Sequence, residues 1–132
     1  GKAWAKAKEL NKAAECYEKS AQSFTNINAW NNAGESYMYA AGTYEKDKQY
    51  DKEAESYMEA ACAYARMENW SLAAKSYHFL AELYWRLEDF EKASECYNLA
   101  GQAFEKNEEL TSSETMYIKA KIAKGKMAIQ EK

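Results

Sequence analysis

Trp30-Asn31-Asn32-Ala33-Gly34-Glu35-Ser36-Tyr37 returns forty residues later as Trp70-Ser71-Leu72-Ala73-Ala74-Lys75-Ser76-Tyr77. Both copies run on through an alanine (Ala41, Ala81), a tyrosine (Tyr44, Tyr84) and a ring at Tyr50 or Phe90. A second phrase alternates with the first. It reads Asn11-Lys12-Ala13-Ala14-Glu15-Cys16-Tyr17, then Asp51-Lys52-Glu53-Ala54-Glu55-Ser56-Tyr57, then Glu91-Lys92-Ala93-Ser94-Glu95-Cys96-Tyr97. Its copies close on Phe24, Tyr64 and Phe104. Self-similarity at a period of about 40 residues is the mark of a repeat architecture, each repeat being one supersecondary unit.

The spacing inside each phrase is helical. Trp70, Ala73, Ala74, Tyr77, Ala81 and Tyr84 follow the i, i+3, i+4, i+7 pattern that places them on one face. Ala54, Tyr57, Ala60, Ala61 and Tyr64 repeat it, as do Leu10, Ala14, Tyr17, Ala21 and Phe24. The last segment carries it more sparsely, through Leu110, Ser113, Tyr117, Ala120, Ala123 and Met127. Helices of about 19 residues, roughly 28 Å long, are expected. Breaks are predicted at Asn26–Asn28, Asp47–Gln49, Glu68–Asn69, Glu88–Asp89 and Asn107–Glu109. Thr111-Ser112-Ser113-Glu114 has the spacing of a capping box for the final helix. Links this short force neighbouring helices antiparallel. They leave no room for a linker, so one domain spanning 1–132 is expected.

Composition agrees. The chain has no proline, five glycines and 47% apolar residues, with a mean hydropathy of −0.79. That combination fits helices with one buried and one wet face. Net charge is −3 with acids and bases interleaved. No basic stripe of the kind nucleic-acid binding needs is present. No apolar run approaches the roughly 20 residues of a membrane span, and no signal-peptide pattern opens the chain. It begins Gly1-Lys2-Ala3 without Met, and neither end carries a polar capping helix. Since a solenoid repeat needs neighbours on both sides, the natural protein is expected to continue beyond one or both ends.

The phrase Ala29 to Tyr37 resembles the first helix of a tetratricopeptide repeat, and Ala93-Ser94-Glu95-Cys96-Tyr97-Asn98-Leu99-Ala100 resembles the second. The implied fold is an all-α, tetratricopeptide-like, right-handed α-solenoid of about three antiparallel helix hairpins. The period exceeds the usual one and the closing proline is missing. The order Phe24, Trp30, Ala33-Gly34, Tyr37, Ala40-Ala41, Asp51, Ala54, Tyr57, Ala60, Ala61, Tyr64, continuing through Phe90-Glu91-Lys92-Ala93 to Phe104, resembles the soluble NSF-attachment protein family. The likeness covers most of residues 10 to 122 and rests on packing residues. It implies a cytosolic, non-enzymatic adaptor that lies along the four-helix SNARE bundle and recruits a hexameric ATPase in vesicle fusion. Membrane association would be peripheral at most. The family's apolar N-terminal loop and C-terminal bundle have no counterpart in these residues. Its SNARE-facing basic residues fall near Asn28, Ala65-Arg66 and Asp89, where only Arg66 is basic. Two other readings stay open: a tetratricopeptide-like scaffold unrelated to fusion, and the regulatory helical domain of a larger enzyme or toxin.

No set of residues has the composition of a catalytic or cofactor site. Cys16, Cys62 and Cys96 form no CxxC pair and read as reduced packing residues, Cys16 and Cys96 at equivalent repeat positions. No metal and no cofactor is expected. His78 has Glu82 one turn away, a pairing common on exposed helix faces. Asn69-Trp70-Ser71 matches a glycosylation sequon but reads better as a helix cap. Leu72, Phe79, Trp85 and Tyr39 lie off the main apolar stripes. Either they anchor a protein partner or they widen the buried arc an interior helix requires, the more economical reading. If one face does form a groove, its residues are Tyr39, Thr43, Arg66, Lys75, Phe79 and Arg86.

Overall fold

The computed structural model describes residues 2–130, with side chains from Lys6 onward. Gly1 and residues 131–132, the chain ends noted above, lie outside the described residues. Among the described residues every element is an α-helix: α1 (Lys2–Asn26), α2 (Trp30–Lys46), α3 (Tyr50–Arg66), α4 (Trp70–Arg86), α5 (Phe90–Lys106) and α6 (Leu110–Gln130). They fall into two compact units, Gly1–Glu68 and Asn69–Lys132. In the first, α2 packs against both α1 and α3; in the second, α5 packs against both α4 and α6. The four inner helices are each 17 residues long, shorter than the spacing alone suggested, because each link takes three residues.

Those links repeat with a regularity the residue types do not reveal. Asn28, Lys48, Glu68, Glu88 and Glu108 stand twenty residues apart and all have φ between 56 and 61°. At Lys48, N–H donates to Glu45 O at 3.0 Å and the next N–H, of Gln49, donates back to Tyr44 O at 3.0 Å. The same pair of bonds closes α1, α4 and α5. This is the Schellman geometry, in which a left-handed residue turns the chain so that the last carbonyls of a helix are satisfied. The residue after it then serves as N-cap of the next helix. Asn69 and Asp89 do so with their side chains, accepting from Leu72 N and Lys92 N. Asn69 is thus the cap its sequence context indicated. The capping box at Thr111 is not formed: α6 already begins at Leu110, and Thr111 sits in the first turn with its carbonyl accepting from Thr115 Oγ1.

Alanine lines the interhelical seams. Ala33, Ala40, Ala41, Ala60 and Ala61 in the first unit are fully buried, as are Ala73, Ala74, Ala81, Ala93 and Ala100 in the second. Small side chains there let backbones approach while Tyr44, Tyr57, Tyr64, Tyr97 and Phe104 fill the remaining space. Where the approach is closest, glycine is required. A Cβ on Gly34 would lie 2.8 Å from the Tyr64 ring, and one on Gly101 would lie 2.7 Å from the Tyr117 ring. Two buried hydroxyls tie α5 to α6: Ser94 Oγ donates to Ala120 O at 3.0 Å, and Ser113 Oγ donates to Gly101 O at 2.9 Å.

Three expectations about burial change. Leu110 is exposed rather than part of a stripe, since the buried face of α6 runs through Ser113, Met116, Ala120 and Ala123. Tyr17 is more than a third exposed and stacks on Tyr39 at 5.5 Å. Cys16 is exposed while its counterpart Cys96 is buried. The phrase is shared, but α1 packs on one neighbour within its unit and α5 on two.

Candidate protein-binding surface

Tyr39, Leu72 and Phe79 are exposed, so a wide buried arc does not account for them. Trp85 is half-buried, with its ring edge-on to Phe90 at 5.0 Å. The six candidate groove residues divide between the two units.

In the first unit, Tyr39 is 55% exposed, one turn from Thr43 on α2. The Thr43 hydroxyl is engaged with its own helix, donating to Tyr39 O at 2.9 Å. Arg66 does not join them. It is the last residue of α3, and its guanidinium stacks on the Trp30 ring at 4.6 Å, at the opposite end of α2. The second unit repeats this clasp at the same sequence offset, with Lys106 at the end of α5 over Trp70 at 4.2 Å. A cation on an aromatic face contributes about 0.5–1 kcal/mol at an exposed site. It also sits at a helix C-terminus, where positive charge is favoured. The matching geometry makes Arg66 a fastener of the α2–α3 hairpin.

In the second unit, Lys75, Phe79, Glu82 and Arg86 follow helical spacing along one face of α4. The lower part of this stripe opens into a cavity of about 430 Å³ lined by Glu82, Trp85 and Arg86 of α4, Tyr97 of α5, and Lys119 and Ile122 of α6. The Lys119 ammonium lies 5.9 Å from the Tyr97 ring centroid. Lys126, one helix turn beyond Ile122, sits 5.4 Å from the Trp85 ring and 5.8 Å from the Phe90 ring. The cavity therefore has aromatic and aliphatic walls with cations at its rim.

His78 adjoins this site. Its ring lies 6.2 Å from that of Tyr97 and 6.4 Å from that of Phe79. Nε2 stands 2.7 Å from Glu82 Oε1 without meeting hydrogen-bond geometry. Burial holds the imidazole below its ordinary 6.5; Lys119 acts in the same direction and Glu82 opposes both. At neutral pH His78 is therefore uncharged, and Glu82 remains the one carboxylate among the cavity's lining residues.

Sequence reasoning placed Arg86 here and singled out Trp85, but missed Tyr97, Lys119 and Ile122. Nothing local marks them: Tyr97 reads as an ordinary stripe residue, and α6 joins the site from more than thirty residues away.

The profile described as soluble NSF attachment protein, SNAP, matches residues 1–131. The chain belongs to that family. No curated protein matches it individually. Family and fold agree, since both describe an all-α chain of helical hairpins. Among the described residues no helix is long and apolar enough to cross a membrane.

Proposed function

We propose that this chain acts as a non-enzymatic adaptor of the attachment-protein type, its two units working as one domain. Its partner is an assembled SNARE four-helix bundle, and it recruits a hexameric disassembly ATPase to that bundle. The observation that carries the reading is family membership over nearly the whole chain. The α4–α6 cavity supports it, because aromatic walls rimmed by Arg86, Lys119 and Lys126 suit a helix that presents apolar and acidic side chains on successive turns. Phe79, exposed on the same face of α4 as Arg86, is a further ring for such a surface. A cytosolic site of action, at most peripheral to membranes, follows from the same reading.

The test is binding to an assembled SNARE complex at several salt concentrations, with co-sedimentation of the ATPase as second readout. The comparison variant combines Arg86→Gln with Lys119→Glu. Arg66 is left unchanged, since reversing it would also break its stacking on Trp30. Salt-sensitive binding lost in the variant supports the adaptor role and places it on this face. No binding, at concentrations where a full-length family member binds, would overturn the fusion reading in favour of a scaffold for another assembly.

A further inference from the structure

A second cavity, of about 540 Å³, lies within the first unit and has the opposite character. Glu18 and Gln22 of α1, Tyr37 of α2, and Glu55, Ser56 and Glu59 of α3 line it. Three carboxylates face it and no cation is among its lining residues. Neither Glu55 nor Glu59 makes an ion pair among the described residues. Glu18 adds to burial in pushing the Tyr44 phenol up. The carboxylates are felt from both walls: Glu59 and Glu18 add to burial in pushing the Tyr37 phenol up.

Independently of the carboxylates, Ser56 is buried, only 2% exposed, and its Oγ has no hydrogen-bond partner among the described residues. Ser76, at the same position within α4, satisfies its hydroxyl by donating to Leu72 O. A buried hydroxyl left open beside carboxylates is a polar group able to take up a donor brought from outside the chain.

We infer that the α1–α3 cavity is a docking site for a basic side chain, an arginine or lysine presented by a protein partner. A metal ion fits poorly. Among the described residues no three acidic, His or Cys side chains converge closely enough to hold one. Spread carboxylates suit a broad, delocalised cation instead. A guanidinium offers five donors in a planar fork, enough to reach two walls and a hydroxyl together. The site is separate from the α4–α6 cavity and does not depend on SNARE binding.

The probe is an alanine-based helical peptide bearing two arginines one turn apart; its control carries citrulline at both positions, which keeps shape and removes charge. The full chain is titrated with each at low salt, and the backbone amides are followed by NMR. Shifts from the arginine peptide are expected at Glu18, Glu55, Ser56 and Glu59. The amides of Lys121 and Lys124, which line a basic cavity in the second unit, should stay still. Raising salt from about 20 mM to about 200 mM should weaken binding severalfold. Combining Glu55→Gln with Glu59→Gln should weaken it roughly tenfold. Both residues are exposed, so the variant is expected to fold, which circular dichroism checks. Equal shifts from the citrulline peptide, shifts unchanged in the double variant, or no shift at α3 with the arginine peptide would each overturn the assignment. Failure here leaves the SNARE-binding result untouched, and the reverse holds too.

Discussion

Glu108 gives the sharpest test of the link geometry. It is exposed, it has φ 61°, and its N–H donates to Glu105 O at 2.9 Å while Glu109 N–H donates to Phe104 O at 2.9 Å. A side chain with Cβ in this region costs roughly 1–2 kcal/mol relative to the right-handed well. Glycine escapes that cost but loses about 0.5–1 kcal/mol through the greater freedom of its unfolded chain. Glu108→Gly should therefore be about 1 kcal/mol more stable than Glu108→Ala. Both substitutions remove a carboxylate from a helix C-terminus, where it is unfavourable by about 0.3–1 kcal/mol. The alanine variant thus isolates the backbone contribution. Urea unfolding followed by far-UV circular dichroism measures the difference, and the slope with urea should not change. In thermal melts the gap corresponds to about 3–5 °C for a chain of this size. Equal stability of the two variants, or a more stable alanine variant, would refute the argument that the fold imposes this conformation against the residue's preference. Lys48, Glu68 and Glu88 should respond likewise, and additively, since each sits in its own link.

The glycines divide into two classes. Gly34→Ala drives a methyl into the buried Tyr64 ring and should cost about 1–3 kcal/mol; Gly42→Ala meets open space and should stabilise α2 by about 0.5–1 kcal/mol. Chemical denaturation of both variants distinguishes them. For the α2–α3 clasp, a double-mutant cycle of Trp30→Leu and Arg66→Gln should return a coupling of about 0.5–1 kcal/mol, and zero coupling would remove Arg66 from its fastening role. The thiols should react in order with an alkylating reagent near pH 8: exposed Cys16 first and Cys62 more slowly, because residual shielding and Glu59 push its thiol up, with Cys96 protected until unfolding. Burial raises the Cys96 thiol from 9.0 to about 12, so between those values the folded chain holds a proton that the unfolded chain has lost. Cys96 therefore removes stability as pH rises through that window, and Cys96→Ala should flatten the alkaline slope measured by urea unfolding.

Much of the fold was legible because it rests on local terms. Apolar spacing at three and four residues, the absence of proline, and polar breaks at fixed intervals specify helices and their order without reference to distant residues. Asn69 and its first-turn neighbours could be read as a cap for the same reason. The capping box at Thr111 misled because the link is closed by backbone bonds from the preceding helix, which move the start of α6 two residues earlier than the side chains imply. The candidate surface was legible only in part. Arg66 looked like a free basic contact, but its meaning depends on which ring ends up beneath it, and Trp30 lies thirty-six residues back.

Residue spacing alone establishes that this chain is a repeat of amphipathic helices, where they break, and which family its packing residues resemble. Packing between helices sets the rest: the left-handed residues at Lys48, Glu68, Glu88 and Glu108, the different burial of Cys16 and Cys96, and the pairing of cations with rings. It also sets the two cavities of opposite charge. The reason is physical. Helix formation is governed by neighbours within one turn, whereas these features depend on how far each helix is rotated and offset against its partners. That rotation is fixed by the alanine seams and three-residue links acting together.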